Sequence, residues 1–173
     1  MERLRQVYGL DILVETGTFL GDTVEHFKNR FGRLYSIELQ ADLFQKAAAR
    51  FAGDVNVSII EGNSGAILET LVPSLSRPAL FWLDGHYSSD FLMGDMYVTT
   101  ARGETDTPID RELEAVVRST LPHVVLIDDA RLFGLAEHYP ALSEIKCIVK
   151  TGSVRRTVSV ENDMIFVLPA SDA

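Results

Sequence analysis

The sequence predicts an α/β protein, in which a mostly parallel sheet of seven strands is covered by helices on both faces. Two observations lead to this fold class. Short, continuous apolar segments alternate along the chain with segments of helical periodicity, and the last two apolar segments are separated only by residues 161–163. Strands that are apolar throughout are typical of a parallel sheet buried on both sides. A connection of hairpin length instead joins antiparallel neighbours.

The strands and helices can be assigned in chain order from these patterns. Strands are predicted at residues 12–14, 34–37, 55–60, 79–83, 123–127, 154–160 and 164–168. Amphipathic helices, with apolar residues at i, i+3, i+4 and i+7, are predicted at residues 23–31, 41–51, 65–75, 109–120 and 142–149. The expected architecture is a Rossmann-like three-layer sandwich. Its C-terminal hairpin supplies the antiparallel strand.

Length, composition and charge limit the classes of function. A chain of 173 residues suits one domain, here residues 1–173. Its apolar segments are shorter than the roughly 18–20 residues of a membrane span, and its first residues lack the apolar core of a signal peptide. The lone Cys147 excludes an intrachain disulfide. These features together predict a cytoplasmic protein. A net charge of −9 opposes binding to nucleic acid and to anionic lipid, so we expect neither as a partner.

The first predicted strand runs into a turn with two glycines. The segment LVETGTFLGDTV reads E-x-G-x-x-x-G, with Glu15, Gly17 and Gly21 at the fixed positions. A dinucleotide-binding fingerprint needs a further glycine where Phe19 stands, and a carboxylate at Glu15 would repel phosphate. Because main-chain amides in such a turn usually cradle a ligand, we expect a ligand without phosphates.

Polar residues also end the next three predicted strands. Glu38 lies 21 residues after Gly17 and suits hydrogen bonds from two ribose hydroxyls. Gly62 and Asn63 end the third strand, where an amide side chain can bond the edge of adenine, and Asp84 ends the fourth. The carboxyl ends of parallel strands meet at one edge of the sheet, which is where open α/β sheets bind ligands.

With these residues in this order, the chain resembles class I S-adenosylmethionine-dependent methyltransferases over nearly its whole length. The resemblance implies S-adenosylmethionine as cofactor, with the cationic amino end of its methionyl group near Glu15. The cofactor contacts it implies are Glu15, Gly17, Thr18, Phe19, Gly21, Thr23, Glu38, Leu39, Gly62, Asn63 and Asp84.

Within that superfamily, LDGHYS followed by VVLIDDARLFG is similar to the macrocin-type sugar and antibiotic O-methyltransferases. Their aspartates bind a divalent metal near the acceptor hydroxyl, and the matching positions here are Asp84, Asp128 and Asp129. Oxygen ligands of this kind suit Mg²⁺. The chain departs from the family in two places: His86 stands where an acid is expected, and Ala130-Arg131 replaces the tyrosine. An alternative is that Asp129 caps the next helix while Asp128 bonds a loop.

Asp84 and His86 are the catalytic candidates. An imidazole with a pKa near 6.5 can accept the proton of an acceptor hydroxyl at neutral pH, although His86 could instead ligate the metal or bond the loop. Residues 85–107 are polar, and a loop of this length is usually functional or disordered, the alternative being a solvated surface loop. Arg131 either binds an acidic acceptor or pairs with a neighbouring aspartate.

Little sequence precedes the first predicted strand, so the acceptor pocket must come from residues 85–107, from the region after Arg131 or from a second subunit. A homodimer, or a large acceptor such as a carrier-bound sugar, would meet that need. The predicted function is O-directed methyl transfer to a small-molecule or saccharide acceptor. The alternatives are a nucleotide-binding oxidoreductase, which Phe19 disfavours, and a non-catalytic Rossmann-like binding module.

Overall fold

The structure is a computed structural model that describes residues 1–85, 91–93, 96–98 and 107–170. Nine strands occur in this part of the chain. They are β1 (Ile12–Thr16), β2 (Arg33–Glu38), β3 (Val57–Glu61), β4 (Leu80–Leu83), β5 (Phe91–Met93), β6 (Met96–Val98), β7 (Val124–Ile127), β8 (Arg156–Glu161) and β9 (Met164–Pro169). Seven of them form one sheet in the order β3-β2-β1-β4-β7-β9-β8, and β5 pairs with β6 alone.

Six α-helices and one short 3-10 helix accompany these strands. They are α1 (Glu2–Tyr8), α2 (Asp22–Phe27), α3 (Ala41–Arg50), α4 (Ser64–Ser74), α5 (Ile109–Val117), α6 (Leu142–Lys150) and the 3-10 helix Ala130–Leu132. Within the described ranges, no helix combines the length and apolar character needed to cross a membrane.

The predicted elements are confirmed with small changes at their ends. Helix α2, for example, stops at Phe27 rather than at residue 31. Two features were missed. Helix α1 precedes the first strand, and the antiparallel pair of β5 and β6 lies inside residues 85–107, where a continuous loop was expected. The expectation of a loop without secondary structure is therefore wrong for residues 91–93 and 96–98, whose few residues give no usable periodicity.

The sheet is parallel except for β9, the last strand along the chain. Strands β1, β2, β3, β4 and β7 pair with one another in parallel, whereas β9 runs antiparallel to both β7 and β8. Asn162 and Asp163 form the hairpin turn, with φ of 49° and 61°. Two consecutive left-handed residues match the twist of a tight hairpin. The predicted C-terminal hairpin with one antiparallel strand is confirmed.

Helices cover both faces of this sheet and bury a separate core on each. Alternate residues of β1 face opposite sides, so that Val14 packs in the core beneath α4, α5 and α6, whereas Leu13 packs in the core beneath α1, α2 and α3. Both side chains are fully buried. The three-layer arrangement expected from the sequence is confirmed, and it leaves the two strand-end edges of the sheet as the places where polar groups can gather.

Candidate functional site

The turn after β1 is shaped by left-handed backbone and by the approach of β4. Gly17, Phe19 and Gly21 have φ of 81°, 50° and 81°. A Cβ atom on Gly17 would lie 2.4 Å from the carbonyl oxygen of Asp84, and one on Gly21 would lie 2.6 Å from the ring of Phe51. Both glycines are therefore required by packing as well as by conformation, since any side chain would push the turn away from its neighbours.

Glu38 joins the turn after β1 to the turn after β2. One carboxylate oxygen accepts a hydrogen bond from Phe19 N at 2.8 Å and the other accepts from Gln40 N at 2.9 Å. The residue is 7% exposed. Each oxygen keeps a further lone pair, so the predicted contact with two ribose hydroxyls is compatible with this arrangement.

Glu15 is buried beneath the turn. It is 2% exposed, and its Oε2 accepts a hydrogen bond from Ser36 Oγ at 2.5 Å. Ser36 Oγ in turn lies 2.6 Å from Thr18 Oγ1. The hydroxyl of Thr23, in the first turn of α2, also bonds the Glu15 carboxyl. Glu15 and Ser36 are paired on adjacent strands, so their side chains point to the same face.

The environment of Glu15 changes its proton affinity. Burial raises the pKa of this carboxyl to about 8, and the nearby charges of Asp84 and Glu38 act in the same direction. The hydrogen bonds from Ser36 and Thr23 act in the opposite direction, because they favour the ionised form. Ser36 was absent from the predicted site residues. A serine inside the otherwise apolar end of β2 was the signal that could have found it.

The residues after β2 and β3 flank the same edge. Leu39 is 39% exposed and follows Glu38. Gly62 has a φ of 136° and donates its N–H to Glu38 O at 2.8 Å. Asn63 caps α4, since its Oδ1 accepts from Ala66 N at 3.1 Å. The cap uses the side-chain oxygen and leaves the Nδ2 hydrogens of Asn63 for the predicted bond to adenine.

Asp84 lies at the centre of this edge, directly after β4. Its N–H donates to Thr16 Oγ1 and to Thr16 O, each at 3.2 Å. A second acid approaches from α5, because Glu112 Oε1 lies 3.1 Å from the position that a Cβ on Gly85 would take. Glu112 is 1% exposed. Sequence reasoning missed it, although it interrupts the apolar stripe of a helix that was itself predicted.

The acids after β7 are tied to an arginine. Asp129 has a φ of 58° and precedes the 3-10 helix, and its Oδ1 lies 2.6 Å from Arg131 Nη1. Arg131 also pairs with Asp163, linking this turn to the β8–β9 hairpin. The interpretation of Arg131 as an ion-pair partner of a neighbouring aspartate is supported. Asp128 follows β7 and donates its N–H to Leu83 O at 3.1 Å.

The predicted Mg²⁺ site finds no support in the described ranges. No group of three or more histidine, cysteine, aspartate or glutamate side chains is arranged there to hold a metal ion. Asp129 of the predicted Asp84, Asp128 and Asp129 set contacts a guanidinium instead. His86 lies outside the described residues, as does most of the segment 85–107.

The ends of β1, β2 and β4 therefore gather several acidic side chains. Glu15 and Glu38 are bonded to hydroxyl and main-chain N–H groups, and neither contacts a lysine or arginine in the described part of the chain. Asp84 and Glu112 add two more acids nearby. A ligand that carries positive charge suits this edge, whereas a pyrophosphate would be repelled.

Comparison with known proteins gives the class of fold. No protein-family model matches the sequence, and no curated protein matches it. Solved structures do match. An O-methyltransferase from Bacillus cereus in complex with S-adenosylhomocysteine superposes with a TM-score of 0.61 at 13% identity, covering 96% of this chain and 78% of that one.

Two further structures agree. The S-adenosylhomocysteine-bound methyltransferase PaMTH1 of Podospora anserina has a TM-score of 0.58 at 11% identity, over 98% of this chain and 76% of that one. An rRNA methylase from Streptococcus thermophilus has a TM-score of 0.50 at 13% identity, over 94% of this chain and 88% of that one. The chain has the Rossmann-like fold that these methyltransferases share. Their acceptors differ, so the fold leaves the acceptor open.

Proposed function

We propose that this chain is an S-adenosylmethionine-dependent methyltransferase that acts on an oxygen of a small-molecule or saccharide acceptor. The observation that carries the proposal is the acidic edge at the ends of β1, β2 and β4. There the Gly17 turn is pressed against Asp84 and bonded to Glu38. The same edge belongs to a fold shared with solved methyltransferases.

The residues of this edge fit the cofactor chemically. S-adenosylmethionine has a sulfonium and an ammonium group, which the surrounding acids favour, and it lacks the phosphates that they oppose. Glu38 would accept the ribose hydroxyls, and Asn63 Nδ2 would donate to adenine. Leu39, which is partly exposed beside Glu38, offers an apolar contact to the adenine ring. When bound, the cofactor supplies a methyl group on a positively charged sulfur.

The residues of the protein would position the acceptor and accept the proton of its hydroxyl group. Asp84 and His86 are the proposed proton acceptors, since Asp84 lies directly after β4 and His86 follows it by two residues in the sequence. As the acceptor oxygen takes up the methyl group that the bound cofactor would supply, Asp84 or His86 would accept the proton that this oxygen releases, and S-adenosylhomocysteine would be the leaving group. Most of the rate enhancement in such a reaction comes from alignment of the two reactants. No step is assigned to a metal.

Calorimetric titration with S-adenosylhomocysteine tests the cofactor. We expect micromolar binding by the wild type. Glu38→Ala should weaken it by about 10-fold or more, because a hydrogen bond to a charged group contributes roughly 1.5–3 kcal/mol. Glu61→Ala is the matched control, since Glu61 ends the neighbouring strand β3 but is exposed. The titrations are repeated with and without Mg²⁺.

Three results would change the proposal. Absence of binding to S-adenosylhomocysteine under all conditions would leave a non-catalytic module with this fold. Tight binding of NAD in its place would favour an oxidoreductase. A Mg²⁺-dependent affinity that Asp128→Asn abolishes would restore the metal site predicted from the sequence.

The acceptor is tested with labelled S-adenosylmethionine once binding is established. Pools of hydroxylated small molecules, saccharides and RNA are compared for label transfer, and mass spectrometry of the product locates the methyl group. A net charge of −9 favours uncharged acceptors over RNA. Transfer to RNA alone would overturn the acceptor class while leaving the methyltransferase assignment intact.

A further inference from the structure

A chain of three buried polar side chains connects the interior of the sheet to the cofactor turn. It runs from Glu15 on β1 through Ser36 on β2 to Thr18 in the turn, with contacts of 2.5 Å and 2.6 Å. Ser36 is fully buried, Thr18 is 3% exposed and Glu15 is 2% exposed. Glu15 and Ser36 lie on the face of the sheet that α1, α2 and α3 cover, and Thr18 lies in the turn directly after β1.

These groups are costly to bury, so their presence needs a reason. A buried carboxyl without a cation and a buried hydroxyl both lose hydration, and only their mutual hydrogen bonds offset that loss. The neighbouring positions on the same face of β1 and β2, Leu13 and Leu34, are by contrast fully buried and apolar. These three hydrogen-bonded side chains end at Thr18, which lies between the turn residues Gly17 and Phe19. Their position therefore connects them to the cofactor turn.

Thr18 is held on both its main chain and its side chain. Its N–H donates to Ile37 O at 3.2 Å, next to Gly17 N, which donates to the same oxygen at 2.9 Å. Its hydroxyl is fixed by Ser36. Phe19, the next residue, adopts a left-handed conformation that a non-glycine residue holds only when its surroundings impose it.

We propose that Ser36 is a positioning residue for the cofactor turn. Its hydroxyl bonds both the buried Glu15 carboxyl and the Thr18 hydroxyl. By fixing Thr18 in this way, it holds residues 17–19 in their binding conformation before the cofactor binds. The inference rests on the proposed function, in that the turn is taken to bind S-adenosylmethionine. Ser36 bridges its neighbours in either proton arrangement, because a hydroxyl can donate to one oxygen while accepting from the other.

Titration of S-adenosylhomocysteine into a set of variants at neutral pH tests the proposal. Ser36→Ala and Thr18→Val should each raise the dissociation constant about 10-fold, since each breaks the chain of hydrogen bonds. Thr18→Ser keeps the hydroxyl and should bind within about 2-fold of wild type. This rescue separates a positioning role from a general packing role.

Ser119→Ala is the matched control for loss of a hydroxyl. Ser119 Oγ lies 3.0 Å from His123 Nε2 at the opposite end of the sheet. This variant should lose thermal stability to a similar degree as Ser36→Ala and yet keep wild-type affinity. Equal affinity of Ser36→Ala and wild type, or equal weakening in Ser119→Ala, would overturn the proposal.

Amide hydrogen exchange of the ligand-free protein separates this inference from the proposed function. In Ser36→Ala, the amides of Gly17, Thr18 and Phe19 should exchange faster than in wild type, while Val124 N, bonded to Ala79 O, should be unchanged. If wild type fails to bind S-adenosylhomocysteine, the methyltransferase proposal falls, and exchange still decides whether Ser36 holds the turn. Unchanged exchange at all three turn amides would rule that role out.

Discussion

The two strand-end edges of the sheet both bury polar side chains, but they satisfy them differently. At the amino edge, which is the end of the sheet where the parallel strands begin, His123 is fully buried and both of its ring nitrogens form hydrogen bonds. Nδ1 accepts from Ala79 N at 3.0 Å, and Nε2 lies 3.0 Å from Ser119 Oγ. Arg156 beside it donates to two main-chain carbonyls. Burial, together with the charge of Arg156, lowers the pKa of His123 to about 4, so the ring stays neutral.

The carboxyl edge, where the parallel strands end and the candidate site lies, instead combines acidic side chains with residues in the left-handed backbone conformation. Glu15 and Glu38 lack a cationic partner among the described residues, and Gly17, Phe19 and Asp129 all have positive φ. Such features reduce stability, and a ligand that binds there can offset the loss. The comparison teaches that the polar groups of the amino edge, a neutral imidazole and the Arg156 guanidinium, are bonded to groups of the fold itself, whereas acids without a cationic partner among the described residues, around a constrained turn, indicate a binding site.

The largest expected effect is at the carboxyl edge. Gly17→Ala should lower the free energy of unfolding by about 4 kcal/mol, because it adds left-handed strain to a backbone overlap. It should also abolish binding of S-adenosylhomocysteine. Urea denaturation and calorimetry measure both quantities. Gly53→Ala is the control, since a Cβ on Gly53 meets nothing within 4 Å. Wild-type affinity in Gly17→Ala would break the comparison between the edges.

The second effect is a pH dependence caused by Glu15. Its folded-state pKa of about 8 lies above its usual value of 4.5, so the folded protein holds an extra proton between these values. The resulting stability is complete below about pH 4.5 and is lost as the pH rises through 8, with a fall of about 3 kcal/mol between pH 5 and 7.5. In Glu15→Gln, the free energy of unfolding measured by urea denaturation should change much less between pH 5 and 7.5 than it does in the wild type. An equal dependence of the free energy of unfolding on pH in variant and wild type would contradict a buried, protonated carboxyl at Glu15.

The third effect tests the amino edge. His123→Ala should lower the free energy of unfolding by about 2 kcal/mol, because Ala79 N loses its buried acceptor. Relative to His123→Ala, the wild type should also lose stability as the pH drops from about 6.5 to 4, since the unfolded histidine gains a proton first, whereas the opposite contribution of Glu15 is common to both proteins and cancels in this difference. Affinity of the folded variant for S-adenosylhomocysteine should not change. A 10-fold weakening would show that the two edges are coupled.

The smallest effect separates two roles of Asn63. Asn63→Ala should lower the free energy of unfolding by about 1 kcal/mol through loss of the α4 cap. Asn63→Asp keeps an acceptor oxygen for Ala66 N and should retain that stability. If Nδ2 donates to adenine, the aspartate variant should still bind S-adenosylhomocysteine several-fold more weakly. Full affinity in Asn63→Asp would assign this residue to the cap alone.

Periodicity predicted the fold well because the sheet is buried on both faces. Every apolar run of strand length became a strand, and the two-residue turn at Asn162 forced the antiparallel hairpin. Helix α1 was missed because it is only seven residues long and none of its side chains is fully buried, although Leu4 and Tyr8 pack in part against the core. The strands β5 and β6 have three residues each, too few for a periodic signal.

The site was only partly predictable for a different reason. Glu38 and Asp84 could be found because strand ends converge in any parallel sheet. Ser36 and Glu112 stand out in the sequence as polar residues within apolar patterns, but spacing does not give their roles, which depend on which strand lies opposite and on which helix covers that face. Glu15 was expected to face the cofactor, and that contact stays a prediction; what the structure adds is its bond to Ser36.

The insertion of β9 between β7 and β8 has a consequence for synthesis on the ribosome. Strand β8 emerges first but has no partner in the sheet until β9 pairs with both of its neighbours. Until then β7 is an open edge, and the core beneath α5 and α6 lacks Ile165 and Val167, which are fully buried in the final fold. A nascent chain that stalls before β9 therefore presents an unpaired, apolar strand edge, which is a target for chaperones and for aggregation.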